Sequence, residues 1–234
     1  LGAHALPDAY KSDKSAYLRL IKEEILPNIE KEGLADYIDI FCEKGFFDAE
    51  DTRQMIEWGE NCGLKAKIHT NQFNSIGGIQ VAVEKGILSV DHLEVLEEQE
   101  INLLADSKVL PVLLPGAAFF LRVPMPPARQ MIDRDLPLVL ASDFNPGSSP
   151  SYSMSTVLAL SCIEMRMLPN EAFNAATVNA AFALELESEL GTISRGKQAH
   201  VCILKNQRNI THIPYYFGSN SIAEVVINGE LWPN

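Results

Sequence analysis

Ala66-Lys67-Ile68-His69, the stretch 75–85 that opens Ser75-Ile76-Gly77-Gly78, and Leu88-Ser89-Val90-Asp91-His92 decide the fold. Two short, largely apolar runs bracket a segment of helical length that stops at Gly86, the pattern of one βα unit feeding a parallel sheet. The same alternation runs outward in both directions. Strands are predicted at 1–5, 37–42, 66–69, 88–92, 109–114 and 138–142, several of them apolar without alternation, as in strands covered on both faces. A helix is predicted over 13–29, where Tyr17, Leu18, Ile21 and Ile25 share a face at three- and four-residue spacing. The next has Asp48 as its cap, Asp51 in the capping-box position and Gly63 as a left-handed stop. Shorter helices fit 97–105 and 127–134.

After Asp143 comes the loop Asn145-Pro146-Gly147-Ser148-Ser149-Pro150, then helices at about 153–167, 170–176 and 179–184 with no strand between them. From Gly191 the texture turns to β: 200–204 and 223–227 read as strands, and Asn228-Gly229 is a strong hairpin signal. The expected domains are 1–190, an incomplete barrel with C-terminal helices, and 191–234, a small β segment. A closed (β/α)₈ barrel takes about 250 residues, roughly 30 per unit. The alternating part here ends near Asp143 with six strands, two units short, so the expected fold class is α/β, a partial TIM-like barrel. The strand-like opening Leu1-Gly2-Ala3-His4, without Met, leads to the expectation that the chain is part of a longer polypeptide.

Composition excludes several function classes. Nineteen Lys and Arg against thirty-one Asp and Glu give a formal charge of -12 over 234 residues, which leaves no basic surface to neutralise phosphates; nucleic acid is not an expected partner. No apolar run approaches the roughly 20 residues that cross a bilayer. The four cysteines, Cys42, Cys62, Cys162 and Cys202, have no CxxC spacing, and no basic-then-apolar leader is present, so a soluble, cytoplasmic protein with reduced thiols is expected. Gly77-Gly78 is followed by no Lys-Ser/Thr and reads as a close helix–strand approach rather than a phosphate loop. Ser148 and Ser149 lack the elbow of a serine hydrolase.

In a parallel α/β fold the chemistry lies at the carboxyl ends of strands. Five predicted ends carry a polar residue that a core does not need: His4, Glu43, His69, His92 and Asp143. Three of the five histidines fall there; His200 and His212 read as structural. Neutral imidazole and carboxylate suit zinc, iron or manganese. On this pattern His69 and Asp143 are the best ligand candidates and His92 is a ligand or a proton-handling neighbour. The set is one or two ligands short. Lys44, after Glu43, reads more simply as half of an ion pair than as a Schiff-base lysine.

Leu-Gly-Ala-His-Ala at 1–5, Ile-His-Thr-Asn-Gln-Phe at 68–73, Val-Asp-His-Leu at 90–93 and Ala-Ser-Asp-Phe-Asn-Pro-Gly-Ser-Ser-Pro at 141–150 resemble the imidazolonepropionases, metal-dependent members of the amidohydrolase superfamily. The resemblance implies hydrolysis of 4-imidazolone-5-propanoate to N-formimidoyl-L-glutamate in histidine degradation, with one zinc or iron ion. It implies that His69 and Asp143 are metal ligands and that Asp143 and His92 handle protons. It places His4, Gln72 and Ser148 against the substrate and Asn145 and Gly147 against the product. Position 72 is Glu in some members; the Gln here can orient but cannot take a proton. By the same resemblance the strands are the third to eighth of the barrel, the late β segment belongs to a small sandwich, and the His-x-His ligands and a substrate-gripping Arg and Tyr lie upstream of this chain. It also implies a homodimer. Two alternatives stand: another cyclic amidohydrolase or an aminohydrolase of heteroaromatic rings, or an inactive fragment.

Overall fold

The computed structural model describes residues 2–205 and 209–232. Five parallel strands, β1 (Tyr37–Cys42), β2 (Lys65–Thr70), β3 (Ser89–His92), β4 (Leu110–Leu113) and β5 (Val139–Leu140), lie in the order of the chain. A second sheet holds three antiparallel strands, β6 (Val201–Leu204), β7 (Ile222–Ile227) and β8 (Glu230–Trp232). The fold is α/β, a parallel sheet with helices plus a small antiparallel sheet, consistent with the expected partial TIM-like barrel. The chain divides into two compact units, 1–111 and 112–234, with the division inside β4.

In the first unit the chain opens on a single parallel bridge, Ala3 to Ile40, in which the Phe41 N–H donates to the Ala3 carbonyl at 3.0 Å. A full strand was expected over 1–5; Leu1 lies outside the described residues, and Pro7, which has no N–H, leads instead into a 3₁₀ turn at Asp8–Tyr10. The expected helix at 13–29 is present but interrupted: α1 (Lys14–Leu20) passes through a π turn, Ile21–Ile25, into α2 (Leu26–Glu32). Pro27 explains the interruption, since it has no N–H for the Glu23 carbonyl and its ring crowds the preceding turn. Gly33, at φ 62, ends the run.

Between β1 and β2 lies α3 (Ala49–Asn61), whose N-terminus is a capping box: the Asp48 carboxylate accepts the Asp51 N–H, and the Asp51 carboxylate accepts the Asp48 N–H. Gly59 lets α3 approach β1, because a Cβ there would stand 2.5 Å from Ile38 Cγ2. α4 (Gly78–Lys85) follows β2, and its first residue explains the Gly pair: a Cβ on Gly78 would meet Thr70 Oγ1 at 2.1 Å. The pair is a close helix–strand approach. α5 (Glu98–Ala105) follows β3 and begins with a Glu97–Glu100 capping box.

In parallel register Phe41 faces His69 and Asp39 faces Lys67, while His69 faces Asp91. Alternation then gives the three strands two unlike faces. Ile40, Ile68 and Val90 are fully buried beside Met55, Ile56, Ile79 and Val81 in the core. The opposite face carries Asp39, Phe41, His69 and Asp91.

In the second unit Val112 and Leu113 pair with Val139 and Leu140. An unanticipated helix, α6 (Pro115–Leu121), follows β4 and stops at Arg122, which is left-handed at φ 58. Its sequence, Pro-Gly-Ala-Ala-Phe-Phe-Leu, has no polar periodicity by which to recognise it. α7 (Ala128–Ile132) precedes β5. β5 is shorter than the expected 138–142, although the Ala141 N–H still reaches the Leu113 carbonyl at 3.3 Å. α8 (Met154–Ile163), α9 (Pro169–Ala176), α10 (Val178–Ala183) and the short α11 (His212–Tyr215) complete the helices. β7 and β8 form the expected hairpin, with Asn228 at φ 53 and Gly229 at φ 82, the two positive values that a type I′ turn requires. No helix among the described residues is long and apolar enough to cross a membrane.

Candidate active site

The polar face of β1–β3 gathers three imidazoles and two carboxylates within the first unit. Asp39 is central. His69 Nδ1 lies 3.0 Å from each Asp39 oxygen, and His4 Nε2 lies 3.5 Å from Asp39 Oδ2. The His4 and His69 rings meet edge to face at 4.6 Å between centroids, and His69 and His92 at 5.4 Å. On its far side His69 Nε2 is 3.8 Å from Asp91 Oδ2. Phe41 closes the group, stacked at 6.3 Å on His4 and lying 6.3 Å from His92.

His92 reaches this group by breaking the strand alternation. Its register partner is Thr70, on the core-facing parity, but its φ of 89, followed by Leu93 at 69, turns the chain. Left-handed backbone is uncommon outside glycine and carries a strain that neighbouring structure must hold. The buried His92 ring rests against Glu94, with Nδ1 3.4 Å from Oε1.

The two strand carboxylates are shifted in opposite directions. Burial pushes Asp39 up, but the hydrogen bond and charge of His69, with a further contribution from His4, outweigh it and hold the carboxyl below the usual range. Burial dominates at Asp91 and pushes it up to about 6, the nearby His69 charge only partly opposing it. Asp91 Oδ1 and Glu94 Oε2 are buried and have no hydrogen-bond partner among the described residues.

His4, Asp39 and His69 offer ligand atoms all within 4.8 Å of one another, a candidate metal site. Two imidazoles and a carboxylate are donors that zinc and iron accept, so the residues present fit a transition-metal ion. Asp39 also stands at His69 Nδ1, the place of the carboxylate to which a ligating histidine commonly gives its other ring N–H; in that role it orients His69 and is not itself a ligand.

Of the residues picked out by sequence, the first unit brings together His4, His69 and His92, and places Gln72, 6% exposed, in the loop after β2. Glu43 is not half of an ion pair with the Lys44 ammonium; its carboxylate accepts the Lys44 backbone N–H at 2.9 Å. Asp39, Asp91 and Glu94 were missed. Their signal is the alternation of polar and apolar residues in Ile38-Asp39-Ile40 and Val90-Asp91, which marks a strand with one polar face.

The second unit groups the other candidates in the loop after β5. Asp143 leaves the strand at φ 50. Asn145 organises the rest of the loop: its Nδ2 donates to the Asp143 carbonyl at 2.7 Å and to Ser148 Oγ at 2.8 Å, and its Oδ1 accepts the N–H groups of Gly147 and Ser148 at 2.9 and 2.8 Å. Ser148 Oγ lies 3.4 Å from Asp143 Oδ2. The buried Ser149 ties the loop to the Ser142 carbonyl at 2.7 Å, and Gly116 on α6 leaves room for it, since a Cβ there would stand 2.9 Å from Ser149 Oγ.

A parallel sheet with histidines and carboxylates at its strand ends defines a class, and sequence comparison agrees: residues 48–232 match the amidohydrolase family, to which the chain belongs. Within that family it is similar to imidazolonepropionases. It is 53% identical over 231 residues to the imidazolonepropionase of Christiangramia forsetii and 49% identical to that of Flavobacterium johnsoniae, in each case over 99% of this chain and 56% of the relative. The chain thus spans about half the length of the curated relatives it matches. Solved structures share the fold at low identity. A guanine deaminase from C. acetobutylicum with bound guanine has a TM-score of 0.72 at 16% identity, over 98% of this chain and 63% of that one. A zinc-bound adenosine deaminase from Xanthomonas campestris has 0.69 at 16%, over 88% and 55%.

Proposed function

We propose that the polypeptide carrying this chain hydrolyses the cyclic amide of 4-imidazolone-5-propanoate to give N-formimidoyl-L-glutamate. The observation that carries the reading is the cluster of His4, Asp39, His69 and His92 on one strand face, in a chain half identical to proteins named imidazolonepropionase. His69 and Asp143 are proposed ligands of one zinc or iron ion, with the His4–Asp39–His69 cluster in support of metal at this face. Such an ion, when bound, polarises a carbonyl oxygen and brings the pKa of a water molecule down to about 7.

The chain's own residues then have separable tasks. Asp39 takes the Nδ1 proton of His69 in a hydrogen bond and leaves Nε2 as the ligating atom. Glu94 does the same for His92, so that His92 Nε2 is the atom that exchanges protons. With Asp143, His92 accepts a proton from the attacking water and returns it to the ring nitrogen as the carbonyl C–N bond breaks. Gln72, His4 and Ser148 orient the imidazolone, and Asn145 and Gly147 shape the loop that holds the product. Gln72, a neutral amide, takes no proton. A cytoplasmic location and a homodimer belong to the same proposal and rest on the resemblance.

The test is a substrate panel on the protein expressed from its full reading frame. Conversion of 4-imidazolone-5-propanoate, with guanine, adenosine and dihydropyrimidines left intact, supports the reading. Deamination of a heteroaromatic ring with no opening of the imidazolone overturns it.

A further inference from the structure

Residues 71–77 link β2 to α4, and of the first five, 71–75, four are tied to two buried carboxylates. Glu43, 1% exposed, follows β1 and reaches this loop from one side. Its Oε2 accepts the backbone N–H of Phe73 at 2.9 Å and of Asn74 at 3.2 Å; its Oε1 accepts the Asn74 side-chain amide at 2.9 Å. Glu100, 3% exposed, reaches it from α5. Both its oxygens lie 3.1 Å from Asn71 Nδ2, and Oε1 accepts the Ser75 hydroxyl at 2.7 Å. Asn71 is itself left-handed at φ 56, and its amide also donates to the Val95 carbonyl at 2.7 Å. Gln72 is the one residue of the five that takes no part in this network.

Taking a carboxylate out of water is expensive, and hydrogen bonds to the charged form must replace its hydration. Glu43 obtains four from amide N–H groups, Lys44 included. Backbone bonding alone can close an ordinary loop on a surface; two desolvated carboxylates converging on the flanks of one residue fix that residue's backbone from both sides.

We infer that Glu43 and Glu100 are positioning residues for Gln72. They act through the loop they grip and touch no reacting atom. The inference rests on the proposed function, in which Gln72 orients the imidazolone. It also accounts for a neutral residue at this position: an amide that only orients depends wholly on where it is held, and displacement of a binding group by about 1 Å can reduce turnover on the order of 100-fold.

Glu43→Gln tests this with almost no change of shape. Whichever oxygen becomes the NH₂ group, two N–H donors then face a donor: Lys44 and the Asn74 side chain at Oε1, or the Phe73 and Asn74 backbones at Oε2. The measurement is steady-state turnover of 4-imidazolone-5-propanoate by the full-reading-frame protein, alongside Gln72→Ala and the double variant, with bound metal determined in each. We expect Glu43→Gln to lower kcat/KM about tenfold, chiefly through KM, with metal content unchanged. In the Gln72→Ala background it should have less than about a twofold effect, the non-additivity of residues acting on one interaction. Additive losses, or a Glu43→Gln enzyme with wild-type KM, overturn the inference while leaving the proposed function standing. If Glu43→Gln does not fold, Asn74→Ala removes one donor alone and is expected to show a smaller loss, about threefold, with the same dependence on Gln72; additivity there overturns the inference equally. A metal-loaded wild type that leaves the imidazolone intact overturns the function and this inference together.

Discussion

The two faces of β1–β3 are built from residues one position apart and are chemically opposite. Ile40, Ile68 and Val90 are 0–1% exposed beneath the helices; Asp39, His69 and Asp91, their neighbours in sequence, form a charged and hydrogen-bonded cluster. The helix-facing side is specified by apolar volume, which tolerates no polar atom without a partner. The other side keeps buried oxygens on Asp91 and Glu94 without one among the described residues. Such groups destabilise a fold, and their concentration on one face, beside left-handed backbone at Asn71 and His92, sets that face apart from the apolar one. A slip of one residue in any strand would exchange the two sets.

Substitutions on the two faces are therefore expected to separate activity from stability. The largest effect belongs to His69→Ala, which should abolish turnover and lower bound metal together; near-normal turnover would remove His69 from the site. His92→Ala should cut kcat by about 100- to 10,000-fold, the range of a proton-transferring group, while metal content stays close to wild type. Equal loss of metal and rate would make His92 a ligand instead. One position from His69, Ile68→Ala should leave kcat/KM of the folded enzyme near wild type and reduce unfolding free energy by about 2–5 kcal/mol in denaturant titration. A selective loss of activity there would break the division between the faces.

The smallest effect lies at the α3 cap. The Asp51 N–H, together with Lys14 and against some burial, holds the Asp48 carboxyl below the usual range. A carboxylate with a lowered folded pKa contributes stability that is present above its unfolded value, near 4, and lost as pH falls through the folded one. Asp48→Asn keeps an acceptor at the cap but loses the charge, so unfolding curves should show a small loss of stability at pH 7 that narrows as pH falls below about 4, giving a shallower acid-side decline. Turnover should be unaffected.

Strand ends were the legible part of the polar face. His4, His69 and His92 stand where polar residues interrupt apolar runs, Glu43 and Asp143 end runs of their own, and the order of elements followed from the same runs. Asp39 and Asp91 were not legible as site residues because they lie inside strands read as covered on both faces; the alternation that betrays them spans only three or four residues. The left-handed backbone of His92 and Leu93 has no counterpart in composition, since neither residue type favours it. α6 was hidden by an unbroken apolar sequence, and the first strand shrank to the Ala3 bridge because Pro7 redirects the chain. The hairpin at Asn228-Gly229 was readable because its turn type demands those residues.

Reversible metal removal tests most directly whether the polar face is part of a metal-dependent hydrolytic site. The full-reading-frame protein is stripped with a chelator, and formation of N-formimidoyl-L-glutamate is followed before and after zinc or iron is returned. Loss of turnover with the metal, and its recovery at about one ion per active site, is the predicted result. Undiminished turnover by the metal-free protein would contradict it.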